Sequence, residues 1–288
     1  MSRFASTRRL DEIRRLDPVR DHQRIVHLIA CYEFPWDFTR SLELALFRTF
    51  CVPRISRLLD HTGEFRLRSQ KRYDDTDIIV SEMVEWGYDS DRGRAAIRRM
   101  NQLHRRFEIA NEDYLYVLST FIYVPIRWIQ RFGWRPLCAQ ERLGLFHFWR
   151  QVGLRMGIRQ IPDDAHAFEQ FSDAFEKRHF HYHETNQRVA QSVMQMFAGW
   201  FPLPLRPTAR ASMRALMDDA MIQGFGLPSP SPITRALVTG GLRLRGNLLR
   251  WLPKRTRPRL RTQGKHPSYP QGYHLSHLGP PPGTCGEA

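Results

Sequence analysis

Residues 98–136 read RRMNQLHRRFEIANEDYLYVLSTFIYVPIRWIQRFGWRP. Asn111, followed by Glu112 and Asp113, has the form of a helix N-cap with acids in the first turn, where free N–H groups and the helix dipole favour oxygen acceptors. Beyond it Tyr114, Leu115, Val117, Leu118 and Phe121 recur at helical spacing, and Pro125, which lacks the N–H needed one turn back, is placed to kink or end the helix. Upstream, Ser90 caps a helix whose apolar stripe is Ile97, Met100, Leu103 and His104. Further out, Asp74 or Asp75 is placed to cap a helix through Ile78, Ile79, Met83 and Trp86, ended by Gly87. Gln140 to Met156 closes at Gly157, and Pro162 with Asp163 starts a helix through Phe168, Phe171 and Phe175. Segments 184–198, 207–222 and 232–250 carry the same period. With no hairpin dipeptide between strand-like runs, the chain reads as all-α.

The 288 residues, 42% of them hydrophobic, can build a sizeable core, which excludes a fully disordered chain. They divide into a helical extension at 1–37, a helical domain at 38–252 and a basic, Pro- and Gly-rich tail at 253–288 expected to be disordered. The longest apolar stretch, Leu115 to Ile126, is 12 residues, short of the roughly 20 that span a bilayer. The opening SRFASTRRLDEIRR lacks the apolar core of a secretory signal. Cys31, Cys51, Cys138 and Cys285 form no C-x2-C pair, so reduced thiols and a cytoplasmic location are expected, peripheral to the inner face of a membrane if the tail binds one.

The net charge of +15 is unevenly placed. Residues 243–288 carry +8 of it, from Arg243, Arg245, Arg250, Lys254, Arg255, Arg257, Arg259, Arg261 and Lys265 against Glu287. No nucleic-acid motif accompanies these cations, which argues against a nucleic-acid partner. Leu242, Leu244, Leu248, Leu249 and Trp251 sit among them on one amphipathic segment, so contact with an anionic membrane through 243–261 is the favoured reading of the charge.

Three groups of residues have the makings of a site. His179 and His183 with Glu184 would share a helical face at i,i+4 and chelate a metal, with His147 as a further ligand, or simply form a solvated face. His104 ends its apolar stripe either as a core histidine bonded to a backbone carbonyl or as an axial ligand to haem iron. Arg72 and Thr76, also i,i+4, can hold a carboxylate or polarise bound oxygen, or can belong to a helix-entry cluster with Asp74 and Asp75. No Gly-rich phosphate loop, G-x-S-x-G elbow or Cys/His nucleophile pair is present, which removes nucleotide enzymes and common hydrolases from consideration.

Three stretches carry a family resemblance: RYDDTDIIVSEMVEWGYDS (72–90), the 98–136 segment, and ERLGLFHFWRQVGLRMGIRQIP (141–162). Together they resemble the catalytic domain shared by MpaB-type oxygenases and bacterial rubber oxygenases (latex-clearing proteins), nearer to the MpaB branch. The resemblance implies a single all-α domain around haem b and O2-dependent oxidative cleavage of a double bond in an isoprenoid or lipid-like chain. By that resemblance His104 is the axial ligand to the haem iron and Arg72 and Thr76 are the distal R-x-x-x-T pair. Asp75 stands where rubber oxygenases have a lysine, which makes it a candidate distal catalytic residue able to accept a proton or bond a water near the iron, or else a helix cap, and Asn101 stands where many relatives have an arginine. The Phe and Trp residues of 114–149 would line an apolar channel for the substrate.

Overall fold

The structure, a computed structural model, describes residues 8–280. Among the described residues fourteen α-helices follow one another with no strand: α1 (Arg8–Arg15), α2 (His22–Leu28), α3 (Pro35–Thr49), α4 (Pro53–His61), α5 (Glu64–Leu67), α6 (Ser69–Trp86), α7 (Asp91–His104), α8 (Asn111–Phe132), α9 (Ala139–Arg155), α10 (Ala165–His179), α11 (Glu184–Gly199), α12 (Arg206–Leu216), α13 (Asp219–Phe225) and α14 (Pro232–Leu249). The all-α expectation is met, because apolar residues at 3.6-residue spacing give each helix one stripe to bury against another.

Two apolar clusters organise the packing. The larger gathers α2, α3, α6, α7, α8 and α9 around Ile25, Phe38, Ile78, Ile122, Phe148 and Trp149, all buried. The smaller joins the end of α3 to α5, α11 and α13 through Phe47, Phe50, Phe65, Val193, Met221 and Phe225. Under the α8–α9 connection the buried Arg135 guanidinium donates to Glu141 (2.7 Å to each oxygen) and to Glu33 (3.1 Å), a triad sealed from water.

The α6–α7 hairpin positions the candidate site. Gly87 closes α6 at φ 83°, and the Ser90 hydroxyl caps α7 by accepting from Gly93 N (3.0 Å) while donating to Gly87 O (2.8 Å). A Cβ on Gly93 would lie 2.0 Å from Gly87 O, so only glycine lets α7 start this close to the end of α6.

Several local expectations are corrected. Helix α6 begins at Ser69, so Asp74 and Asp75 lie within it rather than capping it. Ala110 occupies the cap of α8, and Asn111 instead ties α8 to the segment after α9, its side chain accepting from Arg159 N and donating to Arg159 O (2.9 Å each). Helix α8 continues through Pro125, since burial against its neighbours outweighs the missing hydrogen bond. The expected 207–222 helix is broken at Met217, where Asp218 caps α13 by accepting from Met221 N (2.9 Å).

The largest correction concerns the tail. Residues 253–280 have little regular structure, yet they form a strap packed along α6 and α7, with Thr262, His266 and Leu278 buried. Arg259 N donates to Cys31 O (2.8 Å), Arg261 pairs with Asp77 (2.6 Å), the Thr262 hydroxyl donates to Glu85 (2.5 Å) and Tyr273 donates to Glu82 (2.6 Å). Composition argued for disorder, but the carboxylates along α6 receive the strap's cations and hydroxyls, and these pairings order it. Residues 281–288 of the expected tail lie outside the described residues.

Candidate functional site

Arg72 and Thr76 share one face of α6 as their spacing predicts, and the Arg72 guanidinium donates to the Thr76 hydroxyl. That hydroxyl donates in turn to Arg72 O (3.0 Å), so Thr76 fixes the guanidinium at a set height on the helix. The guanidinium lies 5.5 Å from the centre of the Phe65 ring. It has no carboxylate of its own: Glu64 is taken by Arg68, while Asp75 accepts from Lys71 Nζ (2.9 and 3.1 Å), from the Tyr269 hydroxyl and from Gly279 N (2.9 Å). Burial therefore lowers the Arg72 pKa, and the more distant Asp75 and Glu64 charges only partly offset it. A partly buried cation without a counter-ion is unfavourable unless a ligand supplies one.

His104 ends α7 with its ring edge against Tyr114, centroids 5.5 Å apart. Its Nδ1 is buried and has no hydrogen-bond partner, so the core histidine bonded to a backbone carbonyl is not what forms. Burial, reinforced by the positive charge of Arg72, pushes its pKa down to about 4. The ring is thus neutral at physiological pH, with a nitrogen lone pair available to a ligand. It lines a cleft with Asn101, Arg105, Tyr114, Met156 and Arg159 and is not among the residues that wall the main cavity.

The main cavity lies at the seam of the two apolar clusters, and Arg72 and Thr76 are part of its wall. Its apolar lining comes chiefly from α3 and α11, including Phe38, Leu42, Phe47, Phe50, Val193 and Phe197. Of the aromatic residues in 114–149 only Phe121 reaches it, because Trp128, Phe132, Phe146, Phe148 and Trp149 are spent in the core.

One rim of the cavity is polar, and sequence reasoning missed it. Tyr73 donates to Glu43 (2.5 Å), Arg40 pairs with Glu43 (2.7 Å), and Arg261 of the strap pairs with Asp77. Burial raises the Glu43 carboxyl to about 7 against the opposing pull of Arg40, so it exchanges a proton near neutrality. The available signal was Tyr73 and Asp77, one residue on from Arg72 and Thr76 and again i,i+4.

Two expected sets are not assembled. Asp75 is absent from the cavity lining, its carboxylate being the anchor of the strap. Helix α10 stops at His179, and His183 lies past the break, where its Nδ1 caps α11 by accepting from Thr185 N (3.2 Å). His179 instead packs at a tilt against the Phe175 ring, centroids 4.3 Å apart. The i,i+4 chelate with Glu184 therefore does not form, and no group of three or more His, Cys, Asp or Glu among the described residues is placed to hold a metal ion.

Residues 44–251 match the family described as ER-bound oxygenase mpaB/B'/Rubber oxygenase, catalytic domain. ER-bound oxygenase mpaB' of Penicillium brevicompactum is 31% identical over 242 residues, 78% of this chain and 57% of the relative. ER-bound oxygenase mpaB of Penicillium roqueforti (strain FM164) is 31% identical over 210 residues, 67% of this chain and 70% of the relative. A third relative, ER-bound oxygenase mpaB of Penicillium brevicompactum, is 39% identical over 149 residues, 49% of this chain and 38% of its own length. The chain thus spans little more than half of the first of these relatives.

Proposed function

This chain belongs to the mpaB and rubber oxygenase catalytic-domain family, and from that premise we propose that it is a haem b-dependent oxidoreductase that uses O2 to cleave or oxygenate an apolar isoprenoid or lipid-like substrate. The observation that carries the reading is the pair formed by Arg72, a partly buried guanidinium on the cavity wall without a carboxylate partner, and His104, a neutral imidazole without a hydrogen-bond partner at Nδ1. The two are close enough for the charge of one to depress the pKa of the other. They are complementary to a group that brings both carboxylates and a metal: His104 would ligate the iron and Arg72 would neutralise a propionate. Bound haem b would supply the iron at which O2 is activated.

The protein's own contribution follows from the walls. Burial keeps His104 unprotonated, so its lone pair is available throughout the neutral range. Thr76 accepts from Arg72 and holds the guanidinium toward the cavity, where it meets negative charge without reorganising. The α3 and α11 side chains exclude water and accommodate an extended apolar chain. Glu43, poised near neutrality beside the Tyr73 hydroxyl, can hold or release a proton at its carboxylate oxygen on the polar rim. Asp75 has no part in this, being committed to the strap.

The test is the absorption spectrum of the full chain expressed with haem precursor, beside His104→Ala. A Soret band in the parent that collapses in a variant retaining its far-ultraviolet helical signal supports the reading. A parent that never takes up haem sinks it, and a variant with an unchanged band removes His104 as ligand.

A further inference from the structure

Helix α14 has two faces of opposite character. Its inner face is seated: Gly246 lies so close to α8 that a Cβ would be 2.5 Å from Phe132 O, Thr239 is buried, and Arg245 donates to Asp37 (3.0 Å). Its outer face holds Ile233 (73% exposed), Leu237 (71%), Leu244 (60%) and Leu248 (58%), with Trp251 (87%) just beyond the last turn. Ala236, Gly240 and Gly241 fill the gaps, so the apolar stripe runs unbroken for five turns, about 27 Å. Single exposed leucines are ordinary, whereas a continuous stripe of this length marks an interaction face. The turn leading into α12, which packs against α14, adds Leu203 (72%) and Leu205 (51%).

The surrounding charge identifies the partner. Between Ala220 and Gly286 the sequence contains no Asp or Glu and ten Lys and Arg residues. Arg235, Arg245 and Arg261 have carboxylate partners. Arg243, Arg255 and Arg257 are exposed and form no ion pair among the described residues. We propose that the outer face of α14, from Ile233 to Leu252, seats the protein on an anionic lipid bilayer. The stripe enters the boundary between headgroups and acyl chains, and Arg243, Arg255 and Arg257 meet lipid phosphates.

A second copy of the chain fits less well, because a two-fold interface would bring together two faces of the same net positive charge. A nucleic acid would satisfy the cations and leave the stripe in water. The face differs from the 243–261 segment favoured by the sequence: it begins ten residues earlier, and Arg261 is withdrawn into the strap. Only six residues lie between Leu252 and Arg259 at the cavity wall, so the cavity lies within about 25 Å of the stripe's end. The seat rests on exposed residues alone and stands whether or not the chain binds haem.

The experiment is flotation of the full chain with phosphatidylglycerol vesicles and with phosphatidylcholine vesicles, alongside Leu237→Glu, Leu248→Glu and the pair Arg243→Gln with Arg257→Gln. All four positions are solvent-exposed, and a far-ultraviolet spectrum confirms that each variant folds. The parent is expected to float with phosphatidylglycerol and not with phosphatidylcholine. Each glutamate should lower partitioning about tenfold or more, and each lost arginine about fivefold. No binding to phosphatidylglycerol by the parent, or glutamate variants that bind as the parent does, would overturn the proposal. So would a parent that is dimeric by light scattering and becomes monomeric on Leu248→Glu without having bound vesicles. Binding of duplex DNA as tightly as vesicles, unaffected by the leucine substitutions, would assign the face to nucleic acid instead.

Discussion

Replacing Arg72 by Met should leave the haem-free protein as stable as the parent, or more stable, while weakening its hold on haem. In the haem-free protein the guanidinium has been taken partly from water, at a penalty of roughly 2–4 kcal/mol. Against this stand one charge-assisted hydrogen bond to Thr76, about 1.5–3 kcal/mol, and the Phe65 ring, about 1 kcal/mol. The terms nearly cancel, so the expected change in haem-free unfolding free energy lies within about 1 kcal/mol of zero, read by urea denaturation. With haem bound, the same residue would neutralise a carboxylate, a contact worth about 1.5–3 kcal/mol, so the haem dissociation constant followed at the Soret band should rise about 10- to 100-fold. A residue serving as an ordinary buried ion-pair partner behaves the other way and loses about 3–5 kcal/mol on truncation with no ligand present. A loss of that size in haem-free Arg72→Met would refute the argument that the guanidinium lacks a counter-ion. An unchanged haem affinity would refute its assignment to a propionate.

Other outcomes follow from the same structure. Glu43 has a folded pKa of about 7 against an ordinary 4.5, so the native state binds the extra proton and stability falls as pH rises from about 5 to 8, by about 3 kcal/mol at most; Glu43→Gln should flatten that slope in unfolding free energy measured against pH. Arg135→Met removes the cation that Glu33 and Glu141 share in the core and should cost about 3–5 kcal/mol, roughly a 10 °C fall in Tm by calorimetry. Asp75→Asn removes the charge that holds Lys71, Tyr269 and Gly279 N together; limited proteolysis should then cut within 253–280 at least about tenfold faster while the helical core survives, and an unchanged rate would mean that Asp75 does not hold the strap.

What the sequence determined by itself is what lies within a helical turn or two. Apolar spacing identified the helices, Ser90 and Gly87 marked the α6–α7 hairpin, and Arg72 and Thr76 fell on one face because residues four apart on a helix always do. The catalytic-domain family was legible too, since it is carried in contiguous stretches around those positions. The His179 and His183 expectation failed at the same scale: one helix end between them removes the shared face, and boundaries are the part of a helix that local pattern defines least well.

Only the tertiary structure decided which charges meet across the chain. Asp77 and Arg261 are 184 residues apart, and Asp75 and Gly279 are 204 apart. Their pairing turns a segment of disordered composition into a strap and removes Asp75 from the cavity. The proton affinity of Glu43 and the missing counter-ion of Arg72 are likewise products of burial and of the neighbours that the folded chain brings up. Helix geometry is set by bonds a few residues long, whereas desolvation and ion pairing depend on where distant segments end up, which no local spacing encodes.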